Sequence, residues 1–208
     1  MYPSPQSLLS NLIAYYPMAW DLKDTSWNGY DLTTVKGSYT WWGNYNSITT
    51  FVAQNTSLLY QTNSDVTVSI WLNNNSYAHK LVCLWSDVYS WWGMQVRKKL
   101  AYVVIKWSAY NTTALATEPT WWHMYSAVFN YTNHTIAFYL DWVLQSSVST
   151  ASWSLRWGSV AIIWASGNPW SWDWIDGYIG ITFITQNAMS GTDLTKFYNA
   201  TKWKYWIS

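Results

Sequence analysis

Apolar and polar residues alternate along much of this chain, most clearly between Trp122 and Ser147. Met124, Ser126, Val128 and Asn130 alternate before a polar tip at Tyr131–His134, and a second run follows at Ile136, Phe138 and Leu140. Asp141–Trp142 interrupts that run and Val143–Leu144 resumes it. Period-two alternation broken by short polar tips predicts antiparallel strands with one face on a core. Further strands are predicted at Leu12–Pro17, Tyr30–Val35, Ser47–Ala53, Ser57–Gln61, Lys80–Leu84, Gly93–Val96, Leu100–Trp107 and within Ser154–Ile163. The best-patterned strand is Asp65–Leu72, with Val66, Val68, Ile70 and Leu72 on one face. Asp176–Thr185 is the last, its Ile179, Ile181 and Phe183 expected to point one way. Ala109–Thr120 reads as a polar loop, and Met1–Ser10 as a poorly ordered lead-in. One helix is predicted, Asp193–Lys202, capped by Thr192 or Ser190, with Asp193 in its first turn and Lys202 and Lys204 at its end.

Many short strands with turn signals and one helix predict an all-β sandwich or jelly roll, and without a linker or repeat one domain over 11–208 is the economical reading. Three segments carry a resemblance to a family. Trp122–Ser147 resembles the central meander of laminin-G-like, concanavalin A-like jelly rolls, where a Trp-His strand is followed by Tyr-x-Asp-Gly and then Val-Leu. Asn11–Leu32 (NLIAYYPMAWDLKDTSWNGYDL) resembles that family's opening strand and Asp-x-Ser-Gly-Asn-Gly loop, and Asp176–Lys202 its closing strand and terminal helix. The resemblance implies a concanavalin A-like sandwich of two antiparallel sheets with one short C-terminal helix. At Gly180 the chain departs from the acidic residue this family usually places there.

Composition narrows the chemistry. Eleven basic and ten acidic residues leave a net charge of +1, so nothing points to nucleic acid or an anionic membrane. The one basic cluster, Arg97–Lys98–Lys99, reads as a solvated hairpin tip. Cys83 is the only cysteine and sits in an apolar run, as a small buried hydrophobe would. No apolar run approaches the roughly 18 residues of a membrane span, and the first residues do not read as a secretory signal. Six sequons (Asn55, Asn74, Asn111, Asn130, Asn133, Asn199) fit a glycosylated secreted protein, but arise easily by chance in an Asn- and Thr-rich chain.

The unusual feature is 20 tryptophans against 9 glycines. Several tryptophans stand where turn chemistry calls for glycine. Trp142 is the second residue of a two-residue turn that favours Asp-Gly, Trp27 stands where the resembled family has its loop glycine, and Trp164, Trp170, Trp172 and Trp174 alternate with turn formers. A bulky residue held at positive φ costs roughly 1–2 kcal/mol. UGA is read as tryptophan in some genetic codes and as glycine in others, so Trp20, Trp27, Trp91, Trp121, Trp142, Trp164, Trp170, Trp172 and Trp174 are candidate glycines. Trp71 and Trp122 match true tryptophans of the family. The opposing reading is a Trp-rich, sugar-stacking surface.

Catalytic signatures are sparse. The glucanases of this fold family use paired carboxylates about 5–5.5 Å apart on one strand, whereas this chain has one glutamate, Glu118, before a proline. Asp173 and Asp176 flank a turn, and the three histidines lack ligand spacing. The chain is therefore expected to be a non-enzymatic, lectin-like carbohydrate-binding or adhesion domain, extracellular or on a virion surface, with a glycan or surface polysaccharide as partner. The alternative is a structural virion component contacting other virion or surface proteins. Loop aromatics expected to meet sugar rings are Tyr77, Tyr89, Tyr110 and Tyr131. Asp21, Asp24 and Asn28 cluster oxygen donors in one turn, as Ca²⁺ requires; Asx-turn bonding to their own backbone explains the same cluster.

Overall fold

The computed structural model describes residues 4–18, 21–41, 46–55, 64–74, 82–87, 90–97, 100–105, 108–114, 120–149, 160–163 and 175–207. The described residues form thirteen strands: β1 Leu12–Tyr16, β2 Thr33–Trp41, β3 Asn46–Asn55, β4 Val66–Asn74, β5 Val82–Asp87, β6 Ser90–Arg97 and β7 Leu100–Ile105, then β8 Ser108–Ala114, β9 His123–Asn130, β10 Thr135–Leu140, β11 Val143–Ser149, β12 Val160–Ile163 and β13 Ile175–Thr185. Helix α1 spans Gly191–Thr201, and short 3₁₀ turns lie at Pro5–Leu8 and Lys202–Tyr205. All strand pairs are antiparallel. The hydrogen-bonded path runs β11-β10-β9-β4-β13-β3-β12-β5-β6-β7-β8, with β1 added to β13 and β2 to β3. The path folds back on itself: β8 touches β10 and β11, and β6 touches β9. That doubling is consistent with the all-β jelly-roll expectation, but the described strands form one continuous thirteen-stranded sheet and not the two separate sheets expected.

The central strands β4, β9 and β13 are buried on both sides. Val66, Val68, Ile70 and Leu72 of β4 join Tyr125, Ala127 and Phe129 of β9 in the core between the layers. On the opposite face, Trp71, Met124, Val128, Ile181 and Phe183 pack beneath Leu194, Phe197 and Tyr198 of α1. A strand covered on both faces cannot show a clean solvent side, and for this reason Thr67, Ser69 and Ser126 are buried although polar. Ser69 and Ser126 meet hydroxyl to hydroxyl at 2.8 Å.

Three sequence expectations are corrected. Ser108–Ala114, within a stretch expected to be a loop from Ala109 on, is a strand that pairs with β7 at the end of the path. Ile179 does not share a face with Ile181 and Phe183. The β13–β4 register shifts between Ile179 and Thr182, and a bulge carries the strand's side chains to the other layer. The lead-in is not structureless, since Pro5–Leu8 forms its 3₁₀ turn against α1 and Leu9 is buried. Ser190 is the helix cap, its hydroxyl accepting the Asp193 N–H at 3.2 Å. The expected strand Ser57–Gln61 lies outside the described residues. Arg97 pairs with Leu100 across the β6–β7 hairpin, as the basic tip implied.

Candidate binding site

The opening loop, residues 21–32, is built around one carboxylate. Asp24 Oδ1 accepts the Tyr15 N–H at 2.9 Å and the Ser26 N–H at 2.8 Å. Its Oδ2 accepts the Tyr30 N–H at 2.9 Å and lies 2.8 Å from the Ser26 hydroxyl. Four donors around one carboxylate fill its lone-pair positions. Asn28 closes the loop onto β1, its Nδ2 donating to the Leu12 and Ile13 carbonyls at 3.0 and 2.9 Å. Trp27 and Gly29 stand at φ 77° and 73°, the two glycine positions of the resembled Asp-x-Ser-Gly-Asn-Gly loop.

A second carboxylate braces the same loop from outside. Asp31 Oδ1 accepts the Asp24 N–H at 2.9 Å and Oδ2 meets Lys23 Nζ at 2.5 Å. The Lys23 hydrogen bond holds the Asp31 carboxyl below its usual range, and the same contact raises the Lys23 ammonium. Asp21 Oδ1 accepts the Lys23 N–H. Asp21, Asp24 and Asn28 are thus all in the loop, each with a donor or acceptor partner in the protein. A cation there would compete with the four donors for Asp24. Among the described residues no group of three or more His, Cys, Asp and Glu side chains is gathered as a metal would need.

Beside this loop opens a cleft of about 460 Å³ lined by Asn11, Leu12, Ile13, Asn28, Tyr30 and Gln186. A second, of about 360 Å³, adjoins it through Leu12 and reaches Ser26 and Trp27. The sheet dictates the convergence: Leu12 pairs with Thr185, Thr185 with Thr67, and Thr67 with Val128. Asn11 and Gln186 are the first residues past the paired ends of β1 and β13, and the Gln186 N–H donates to the Asn11 carbonyl at 2.8 Å. Asn11 holds its place at φ 50°, a conformation asparagine tolerates. Tyr30 packs partly on the core, while its carbonyl accepts the buried Tyr16 hydroxyl at 2.7 Å. Burial is the main reason that hydroxyl titrates well above the ordinary tyrosine range.

The β9–β10 turn stands on the same rim. From β1 across β13 and β4 to β9 is three interstrand steps, roughly 14 Å. Tyr131 in that turn packs partly against the inner core and edge-on to His134. The Thr132 N–H donates to Asp65 Oδ1 at 3.2 Å. Of the other expected aromatics, Tyr110 lies in strand β8 rather than a loop, and its side chain is outside what the structure describes. Tyr77 and Tyr89 lie outside the described residues. Tyr30, Asn11 and Gln186 are the cleft residues that sequence reading missed; the available signal was an amide immediately flanking each of two predicted strands.

At the opposite rim His123 Nδ1 lies 2.6 Å from Asp141 Oδ2, and Asp141 Oδ1 accepts the Met124 N–H at 2.9 Å. The Asp141 N–H returns a bond to the Met124 carbonyl at 2.8 Å. These bonds clamp the β10–β11 corner to the start of β9, a positional task for both side chains.

No family model and no curated protein sequence matches the chain. Its fold is similar to that of several solved domains. Domain 4 of AbnA, a GH43 extracellular arabinanase from Geobacillus stearothermophilus, solved with arabinotriose, superposes with a TM-score of 0.72 at 16% identity, covering 90% of this chain and 98% of that one. The binding domain of botulinum neurotoxin serotype D/C superposes with a TM-score of 0.71 at 11% identity, covering 95% of this chain and 53% of that one. A botulinum neurotoxin DC binding domain in complex with rat synaptotagmin II gives a TM-score of 0.71 at 11% identity, covering 91% and 52%. The chain spans about half the length of these neurotoxin domains. These likenesses establish the fold.

Proposed function

We propose that this protein is a non-enzymatic, lectin-like domain, displayed at a cell or virion surface, that binds a glycan in the cleft between the opening loop and the end of β13. The carrying observation is the convergence of Asn11, Asn28, Gln186 and Tyr30 on one open cleft. Amide groups offer both donors and acceptors to sugar hydroxyls, and a tyrosine ring offers apolar area at low entropy cost. The rim continues to Asp65, Thr132 and Asn133, giving an extended oligosaccharide polar groups beyond the cleft. The arabinotriose complex of an arabinanase domain with this fold supports the reading.

A structural or adhesive role toward another protein is the second reading. It draws on the synaptotagmin complex of a similar domain and on the half-exposed Val143 and Leu144 at one end of the strand path. A glycan array that includes arabinan oligosaccharides separates the two, run for the parent, Gln186→Ala and Asn11→Gly proteins. Glycine keeps the left-handed backbone at position 11 and removes only the amide. Retention of one sugar class by the parent and its loss in both variants supports the glycan reading; silence across all sugars supports the second. Repeating the array with EDTA reports whether the Asp21–Asp24–Asn28 loop draws on calcium.

A further inference from the structure

Two groups stand out among the described tryptophans. Trp71 and Trp122 are fully or almost fully buried and stack among the rings of Tyr198 and Tyr205. Trp71 also places its indole N–H on Thr201. Trp27, Trp142 and Trp206 are different: their backbones stand at φ 77°, 67° and 58°, where a β-carbon crowds the following carbonyl oxygen.

Each of the three occupies a site where glycine is the ordinary solution. Asp141 and Trp142, both at positive φ, form the two-residue corner between β10 and β11, the geometry that selects Asp-Gly. Trp206 is the left-handed residue ending the 3₁₀ turn, its N–H reaching back toward the Lys202 and Trp203 carbonyls, and helices commonly end on glycine there. Trp27 is matched two residues later by a true glycine, Gly29, at nearly the same φ. Burial does not explain the Trp27 and Trp206 indoles, which are 96% and 66% exposed. The Trp142 ring meets Tyr198 at 4.1 Å between centroids. Of the other residues at positive φ, Asn11, His134 and Asp141 are of the types that tolerate it; Met18, at φ 55°, is held there with its side chain fully buried in the core, whereas Trp27 and Trp206 are exposed.

We propose that positions 27, 142 and 206 are glycines in the protein as its source makes it, encoded by UGA codons read there as glycine, while Trp71 and Trp122 are tryptophans encoded by UGG. The inference extends the turn argument to position 206, which the sequence pattern alone did not single out. It stands apart from the glycan reading, although it removes the Trp27 ring from the second cleft and leaves amides and Tyr30 as the recognition groups. Trp121 is exposed but its backbone carries no such signature. Trp20, Trp164, Trp170, Trp172 and Trp174 lie outside the described residues, as does the Trp91 side chain.

Two measurements test it. Peptide mass spectrometry of the protein from its source, beside the codons of its gene, is expected to show glycine and UGA at 27, 142 and 206 with tryptophan and UGG at 71 and 122. Tryptophan masses at the three positions, or UGG codons there, overturn the proposal. In recombinant full-length chain, the triple variant Trp27→Gly, Trp142→Gly, Trp206→Gly is expected to melt about 5 °C or more above the tryptophan form, and above the corresponding triple alanine variant. A tryptophan form as stable as the glycine form removes the backbone argument.

Discussion

Trp71 donates its indole N–H to the Thr201 hydroxyl at 3.1 Å, and that hydroxyl lies 2.8 Å from the Phe197 carbonyl it donates to. One bond thereby ties the middle of β4 to the last turn of α1, between two fully buried side chains. Thr201→Val keeps the shape and leaves the indole N–H buried without an acceptor, at a cost of about 1–3 kcal/mol. Trp71→Phe in the Thr201→Val background costs less than in the parent, because the orphaned donor goes with the ring. Urea unfolding of the two single variants and the double variant measures this coupling.

Asp24 makes a comparable demand on the opening loop. Asn at this position faces four donors with one acceptor oxygen and an NH₂ group, so Asp24→Asn is expected to lose about 2–4 kcal/mol of stability. Thermal melts followed by circular dichroism check this. The loop and the cleft share Asn28 and Tyr30, so glycan retention falls with the same substitution.

Gly180 lies directly under the Tyr205 ring: a β-carbon there overlaps the tyrosine's hydroxyl and ring atoms. The close approach lets the Tyr205 oxygen accept the Ile181 N–H at 2.7 Å, next to the bulge in β13. Gly180→Ala must displace that ring and is expected to cost about 1–3 kcal/mol. Loss of amide exchange protection at Ile181 identifies the broken bond. This contact also accounts for the absence of the acidic residue that the family resemblance led one to expect at position 180.

Burial raises the hydroxyl pKa of Tyr15, Tyr16, Tyr125 and Tyr205, and pushes Tyr198 up to about 12 with the Asp141 charge adding to it. A raised folded-state pKa means that the unfolded chain loses the proton first. The stability these groups contribute is intact below the ordinary tyrosine value of about 10 and declines as pH rises above it. Stability should therefore fall steeply on the alkaline side. A spectrophotometric tyrosinate titration is expected to show these residues ionising only with unfolding; smooth titration of every tyrosine near pH 10 contradicts their burial.

Much of the sandwich is legible in the residue pattern, and the exceptions have physical causes. Val66, Val68, Ile70 and Leu72 alternate cleanly because β4 is regular along its length, and Asp24, Ser26 and Asn28 announce their loop because each side chain bonds locally. Ile179, Ile181 and Phe183 mislead because a bulge breaks the period of two between Ile179 and Thr182; Gly180, inside that interval, was the residue that could have signalled it. Ala109–Thr120 reads as loop because its Asn and Thr residues look like those of a turn, although its first half belongs to β8. The cleft was hidden for another reason. Asn11 and Gln186 lie at opposite ends of the chain, and only the β1–β13 register brings them together.

The central claim is that the rim cleft beside the opening loop is the binding site. The most direct test follows backbone amide shifts of the labelled protein during titration with an oligosaccharide the array retains. Perturbations centred on Asn11, Leu12, Asn28, Tyr30 and Gln186, fading toward Thr132 and Asn133, are the predicted result. Shifts centred on Val143 and Leu144 or on the His123–Asp141 corner, with the cleft unmoved, contradict it.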